Sequence, residues 1–534
     1  MKIVIAEKIS SSAIELLRQP HWTVITAEEL NGNLPAQLES ADALIVRSAV
    51  QVNADLLAHA HKLRVIGRAG VGVDNIELEP ATRKGIAVMN TPGANAVAVA
   101  EQTFAVILAM ARHLCRANET THAGKWEKKS LQGTELRGKM LGIVGLGRIG
   151  MEVAARARAF GMEIVAHDPF VSATVAKEHG IKLGSIDQVF AAADYLTLHA
   201  GLTPQSADMI NAESLKKMKP GVHIVNCARG ELVDEAALAD ALKSGHVAGA
   251  ALDVFAKEPL KNSPLQGMSN VILTPHVGGS TREAQEAVGY QIALQIKEYL
   301  LHGVIQNAVN VPSVSHHEYL QMQPYIILAE RLGSLLAQIT ESALQEISLR
   351  YSGHIAEWKT ELIRNAAIKG MLNEVLDEDE KANLVNAESL ANARGLRIHE
   401  ERKAKASEGG VASVLSVLVK AESEEHIAKG AVLHGHAARL LHIDGIELES
   451  PLGRNLIFLR NRDVPGVIGK VGTILGDHRI NIADFSLGRR TRDGANEREA
   501  IAVIHIDDRV PSAVLAEIKA VPAVQQARCV SLPV

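Results

Sequence analysis

The sequence predicts an α/β chain. Two doubly wound parallel-sheet domains come first, one for substrate and one of Rossmann type; an α+β intervening domain and a ferredoxin-like domain follow. Three observations predict this. Short β-rich runs alternate with helical patterns in two successive series, the texture changes after Pro312, and the segment 455–534 has its own β-α-β-β-α-β rhythm. At 534 residues the chain exceeds what one hydrophobic core holds, and usual domain sizes divide it into roughly three or four.

The first series runs "KIVIA", "WTVIT", "ALIVR", "RVIGR" and "IAVMN" as strands, with "SAIELLRQ", "NADLLAHAHK" and "ELEPATRKG" as helices between them. Crossovers of this length demand parallel strands covered on both faces. A long helical segment, Ala96–Asn118, leads to the second series of strands, "MLGIVG", "EIVAHD", "YLTLHA", "HIVNCA", "GAALDV" and "VILT". One long helix from Thr281 closes it, and "NAVNVP" at 307–312 returns to complete the first domain. The expected division is 1–96 with 285–312, then 97–284, 313–452 and 453–534.

Past Pro312, residues 323–340 read as helix, 346–351 as strand, and 377–395 as a charged helix. A strand-rich stretch with a turn at Asp444–Gly445 runs to about 452. The tail reads strand "NLIFLRN", helix "PGVIGKVGTILGDH", strands "INIADFSLGRR" and "AIAVIHID", helix "PSAVLAEIKA", strand "VQQARCVSL".

Composition narrows the class of function. Apolar residues make up 47% and charged residues 22%, with a net charge of −5, which offers no electrostatic case for nucleic acid or an anionic membrane. Three scattered cysteines, Cys115, Cys227 and Cys529, suggest no disulfide framework and a reducing compartment. The opening "MKIVIAEKIS" reads as a strand cut off by Glu7 and Lys8, not as a signal peptide. Val97–Ala111 carries Glu101 and Gln102 and reads as a buried helix, too short to span a bilayer. A cytoplasmic protein is expected.

"LGIVGLGRIG" spaces Gly145, Gly147 and Gly150 as G-x-G-x-x-G between a strand and a helix. The first glycine suits a tight turn, the second a close approach to pyrophosphate, the third close helix–strand packing, and the helix N-terminus favours negative charge. Asp168 ends the next strand 18 positions after Gly150. There a carboxylate bonds both hydroxyls of an adenosine ribose and repels a 2′-phosphate, which favours NAD over NADP.

Later strand ends bring three further groups to one edge of the sheet. Arg229 follows "HIVNCA", Asp253 and Glu258 follow "GAAL", and His276 follows "VILTP". Singly they could be a surface arginine, a loop carboxylate and a strand-end histidine. Together they suit an alcohol–ketone redox step: His276 takes the hydroxyl proton, Glu258 fixes its tautomer, and Arg229 offers a two-pronged donor to a substrate carboxylate. Gly278 and Gly279 are expected to leave room for a nicotinamide beside the imidazole. Arg47 and Arg68, at first-domain strand ends, add cationic donors, and Gly70 and Gly72 let backbone N–H groups approach an anion. His434, His436 and His442 read as solvated strand histidines, with no metal site.

"GLGRIG", "NCARGELVDE", "AALDVFAKEP" and "TPHVGGSTREAQ" resemble the D-isomer-specific 2-hydroxyacid dehydrogenases. "IVRS", "VIGRAGVGVDNIE", "GKWEKK" and "NLVNAESLANARG" resemble their long-form D-3-phosphoglycerate dehydrogenase branch. The resemblance implies NAD-dependent oxidation of 3-phosphoglycerate to 3-phosphooxypyruvate, the entry to serine synthesis, and a homotetramer. It implies Arg229, Glu258 and His276 as catalytic. It places NAD against Gly145, Gly147, Arg148, Ile149, Gly150, Asp168, Ala200, Cys227, Ala228, Arg229, Asp253, His276, Gly278 and Gly279. It puts the substrate against Arg47, Arg68, Gly70 and Arg229. Val71 and Ala200 stand where relatives often carry threonine. The tail resembles an ACT domain, with Asp463 and Asn481 as the effector pair for an amino acid such as L-serine at an interface between two such units; the alternative is a structural assembly module.

Overall fold

The computed structural model describes residues 1–30, 32–312, 314, 316–377, 380–403, 411–491 and 498–533. The first sheet has five parallel strands in the spatial order Thr23–Ile25, Lys2–Ile5, Ala43–Val46, Val65–Arg68, Ala87–Met89. Its central strands are unbroken apolar runs because both faces are covered. Ile3, Ile5 and Ile45 pack against Ile292 and Ile296 of helix Arg282–His302, and Val4, Leu44 and Ile66 pack against Leu38 and Leu57 on the other side. Residues 307–310 return to the edge strand: Asn90 N donates to Asn307 O, Val309 N donates to Val88 O, and the Asn310 side chain bonds Val88 N and Ile86 O.

The second sheet has seven parallel strands, ordered Val271–Leu273, Val247–Leu252, Val222–Asn226, Tyr195–Leu198, Met140–Val144, Glu163–His167, Lys182–Leu183. Strand order reverses between Tyr195–Leu198 and Met140–Val144, and in the first sheet between Lys2–Ile5 and Ala43–Val46. Such reversals open a crevice outside the carboxyl ends of the strands.

The segment read as one helical run over 96–118 is two helices, Ala96–Ala111 and Leu114–His122, bent by 63°. His113, at φ 51°, breaks the run, and no residue of the second helix is buried, so no core contact holds the chain in line. Among the described residues no single helix is long and apolar enough to cross a membrane.

A mixed six-stranded sheet follows, ordered Arg397–Lys403, Leu344–Gly353, Ser413–Ala421, Glu425–Leu433, Ala437–Ile443, Ile446–Pro451, with helices His316–Ile339 and Glu361–Leu372 packed in its core cluster. The expected helix over 377–395 shrinks to Ala387–Ala393; Glu378 and Asp379 of that stretch lie outside the described residues, as does Ser313 at the expected domain boundary. Asparagines capture the backbone ahead of it. Asn383 Oδ1 accepts from Val385 N and Asn386 N, Asn386 Oδ1 accepts from Asn383 N, and such local bonds compete with helix. Asn383 Nδ2 also donates to Gly85 O in the first domain. His434 and His436 lie in a left-handed turn with Gly435 and not on paired strands, because His434 adopts φ 53° and its carbonyl is bonded by His436 Nδ1.

The last sheet is antiparallel, ordered Ile482–Thr491, Arg498–Ile506, Asn455–Arg462, Val524–Ser531, with helices Val467–Asp477 and Ser512–Lys519 between strands. This is the ferredoxin-like arrangement. Its edge strand meets the preceding sheet where a Cβ on Gly488 would fall 2.3 Å from Glu447 O.

Candidate active site

The glycine turn lies beside the crevice of the second sheet. Gly145 takes φ 96°, and its N donates to His167 O. A Cβ on Gly150 would sit 2.1 Å from Gly145 O, so helix Arg148–Ala159 presses directly on the turn, while Gly147 meets nothing within 4 Å and leaves the helix start open. Asp168 Oδ2 accepts from Leu146 N at 2.7 Å and its Oδ1 from Phe170 N at 2.8 Å, which fixes the carboxylate beside the turn. An open glycine turn, a helix N-terminus and an acid at the next strand end suit a dinucleotide, and these residues would hold NAD. Ile149 and Ala200 are partly buried against the flanking cores, and Arg148 reaches across to Pro92 O.

The strand ends converge as the spacing suggests. Asn226, fully buried, accepts from Ala228 N and donates to Arg229 O, which shapes the turn that presents Arg229. Arg229 Nε lies 3.1 Å from Asp74 Oδ2, and a Cβ on Gly72 would fall 2.0 Å from Arg229 Nη2. Cys227 is buried, which with the nearby Asp253 pushes its thiol up to about 12 and removes it as a nucleophile.

His276 stands at φ 52°, held by bonds from its N to Asp253 O and Thr274 O. Its Nδ1 is 2.8 Å from Glu258 Oε2, and Glu258 Oε1 accepts from Phe255 N. An ionised carboxylate only accepts, so it draws the ring proton to Nδ1 and leaves Nε2 as the basic nitrogen. His276 is half exposed, its ring at the cleft.

Asp253 and two glycines shape the histidine turn. Asp253 is 2% exposed and accepts from Thr274 Oγ1, Val277 N and Gly278 N, so it braces the histidine turn from inside. The turn is closely packed at both glycines: a Cβ on Gly278 would come 3.0 Å from Asp253 Oδ2, and one on Gly279 would come 3.1 Å from Asn95 Nδ2. These glycines let the turn pack on Asp253 and Asn95. Thr274, Asn226 and Asp74 lie inside the quoted stretches but were given no role there; the strand-to-turn positions of Asn226 and Thr274 are the signal that marks them.

On the first-domain side, burial and then the Arg229 cation lower the Arg68 guanidinium below the usual arginine range, with Arg47 adding to the effect. A Cβ on Gly70 would fall 1.4 Å from Arg68 Nη1. Arg47, Arg68 and Arg229 therefore share one electrostatic neighbourhood, a setting for a multiply charged anion. Val71 contributes its backbone, accepting from Asn90 Nδ2. Asp463 and Asn481 are not brought together within the chain. Asp463 N bonds Arg498 O, and Asn481 Nδ2 bonds Asp507 Oδ2, at opposite ends of strand Arg498–Ile506, roughly 25–30 Å apart at ordinary strand rise.

Comparison with known proteins places this geometry. Residues 104–278 match the D-isomer specific 2-hydroxyacid dehydrogenase NAD binding domain, 321–444 the D-3-phosphoglycerate dehydrogenase intervening domain, and 455–523 the ACT domain. D-3-phosphoglycerate dehydrogenase of Methanocaldococcus jannaschii is 38% identical over 533 residues, covering 100% of both chains, and that of Bacillus subtilis is 36% identical over 532 residues, again 100% of both. Among solved structures, the TT0316 protein from Thermus thermophilus is 34% identical with a TM-score of 0.53, covering 58% of this chain and 100% of that one. NAD-dependent formate dehydrogenase from Staphylococcus aureus, in complex with NAD, is 27% identical with a TM-score of 0.52, covering 59% and 100%.

Proposed function

The chain belongs to the D-3-phosphoglycerate dehydrogenase family, NAD-dependent dehydrogenases, and from that premise we propose how its residues carry out the reaction. The reaction is oxidation of 3-phosphoglycerate to 3-phosphooxypyruvate, which feeds serine synthesis. NAD supplies the hydride acceptor. Arg229, from the second domain, holds the substrate carboxylate across the cleft from Arg68 and Gly70. His276 Nε2 takes the hydroxyl proton as the carbinol carbon is oxidised, and Glu258 holds Nδ1–H and stabilises the imidazolium that results. The 2.8 Å Glu258–His276 pair is the observation that carries this reading.

The same reading takes 1–96 with 285–312 as the substrate domain, 97–284 as the NAD domain, 313–452 as the intervening domain and 453–534 as the ACT domain. An ACT domain suits an amino-acid effector; we take L-serine as that effector, bound where Asp463 of one chain faces Asn481 of another, within a cytoplasmic homotetramer. Ile482 and Phe485, each 37% exposed at the start of strand Ile482–Thr491, away from its contact with Glu447, support a pairing of two chains there.

The test is NADH oxidation by the purified full chain with 3-phosphooxypyruvate, hydroxypyruvate and 2-oxoglutarate. A kcat/KM highest for 3-phosphooxypyruvate supports the reading; equal or higher values for an unphosphorylated oxoacid overturn it.

A further inference from the structure

Arg229 reaches the cleft from the second sheet, and the carboxylate it meets there belongs to the first domain. Its Nε donates to Asp74 Oδ2 at 3.1 Å, and its Nη1 donates to Ala228 O at 2.7 Å. Among the described residues its side chain donates nowhere else, so Nη2 is left for a ligand. A Cβ on Gly72 would fall 2.0 Å from that Nη2, so only a bare backbone lets the guanidinium come this near the loop that carries Gly70.

Both partners stand on braced turns. Asn75, 9% exposed, donates from Nδ2 to Arg47 O and Val50 O, and Asn90 Nδ2 donates to Val71 O, so the loop is pinned on either side of Asp74. Opposite, Asn226 shapes the turn that presents Arg229. The Asp74 side chain is 65% exposed and that of Arg229 27%; a pair this open to water adds little to stability, and its effect is one of geometry. Burial lowers the Arg68 guanidinium, Arg229 lowers it further, and Asp74 opposes both. Glu7, the other carboxylate acting on Arg68, is engaged by Arg47 N, Ala49 N and Val50 N. Asp74 is thus a counter-charge for two arginines, one from each domain.

We propose that Asp74 is a positioning residue for the reaction: it holds Arg229 Nε from across the cleft, turns Nη2 toward the substrate carboxylate, and ties the second domain to the first. A guanidinium is a planar fork, so fixing one nitrogen sets the direction of the others. This rests on the role of Arg229 given above.

Asp74→Ala, Asp74→Asn, Arg229→Lys and the Asp74→Ala/Arg229→Lys double variant are assayed with 3-phosphooxypyruvate and with hydroxypyruvate, and NADH affinity is read by fluorescence. Asp74→Ala is expected to raise KM about tenfold for both oxoacids, since both carry the carboxylate, with the NADH dissociation constant unchanged. Asp74→Asn keeps an acceptor for Nε–H without the charge, and its KM is expected to fall between the two. A lysine has no Nε–H to hold, so Asp74→Ala is expected to cost nothing further in the Arg229→Lys background. Additive losses in the double variant overturn the proposal, as does an unchanged KM in Asp74→Ala. A lower KM also overturns it, because it marks Asp74 as a competitor of the substrate for Arg229. NADH affinity that worsens in step with KM points to a cleft that has lost its shape, and overturns it too. A wild type that prefers hydroxypyruvate overturns the substrate reading alone, because the Asp74 effect is measured on either oxoacid.

Discussion

Glu258 Oε2 and His276 Nδ1 stand 2.8 Å apart, with Glu258 itself held by Phe255 N, so one ring nitrogen is committed and the other faces the cleft. His276→Ala is expected to lower kcat by about a hundredfold or more, the usual scale for a lost general base, with NADH binding by fluorescence nearly unchanged. Glu258→Gln keeps the shape but offers no charge to an imidazolium, and kcat is expected to fall there with little change in NADH affinity. Near-normal turnover in His276→Ala would remove the proton-transfer role.

Asp168 is fixed beside the glycine turn by bonds from Leu146 N and Phe170 N. Asp168→Ala is expected to weaken NADH binding and to narrow its margin over NADPH, because the repulsion of a 2′-phosphate goes with the carboxylate. Titration of both dinucleotides by protein fluorescence measures this. A wild type that binds the two equally shows that Asp168 does not select.

Gly150→Ala puts a Cβ 2.1 Å from Gly145 O, backbone that cannot rotate away. The helix must lift from the turn, and NADH affinity is expected to drop by about tenfold or more while activity at saturating NADH falls less. Gly147→Ala meets no neighbour and serves as the control.

His426 lies between two carboxylates, Nδ1 at 2.7 Å from Asp444 and Nε2 at 3.0 Å from Glu424. Burial opposes its charge, but the bonds and fields of Asp444 and Glu424 outweigh that and raise it above the usual 6.5; Asp444 is held below the usual carboxylate range by His426, Ile427 N and Arg460 against the opposing effect of burial. A raised histidine contributes fully below its unfolded value and loses that contribution as pH climbs through the folded one. A lowered aspartate loses its share only on acidification through its folded value. The melting temperature of the C-terminal half is therefore expected to fall as pH rises above 6.5, and His426→Gln to flatten that fall while lowering Tm at acidic pH by about 2–4 °C. A wild-type Tm flat across this range contradicts the charged pair.

L-serine is expected to release heat on titration into the full chain and to inhibit NADH oxidation, with Asn481→Ala weakening both. A coupling of about 1–3 kcal/mol corresponds to roughly a 5–150-fold change in affinity. No heat and no inhibition at millimolar serine would leave the last domain as an assembly device.

The two parallel sheets were readable because strands buried on both faces must be apolar along their whole length, and the acid, arginine and histidine were readable because each falls where such a run stops. Other features left no such mark. Helix Glu361–Leu372 was not anticipated: Leu362, Ile363, Asn365, Ala366, Ile368 and Leu372 are all buried, so it lies inside on most of its circumference and shows no clean polar face to mark a helical period. Strand Arg397–Lys403 reads "RIHEERK", an exposed edge with no alternation to follow. At Asp253 a buried brace and a cofactor contact call for the same acid at the same strand end, so its bonds to Val277 N and Gly278 N were not legible in the sequence. Asp74 and Arg229 are 155 positions apart, and only the tertiary fold brings them into contact.

The return of residues 307–310 to the edge of the first sheet has a consequence for synthesis on the ribosome. The second sheet has its last strand at Leu273, whereas the first waits for Asn310 although it begins at Lys2. At translation speeds of 5–20 residues per second that interval lasts about 2–7 s. The N-terminal strands thus emerge first and finish later, and for that time they hold an unclosed edge beside a neighbour that has already settled.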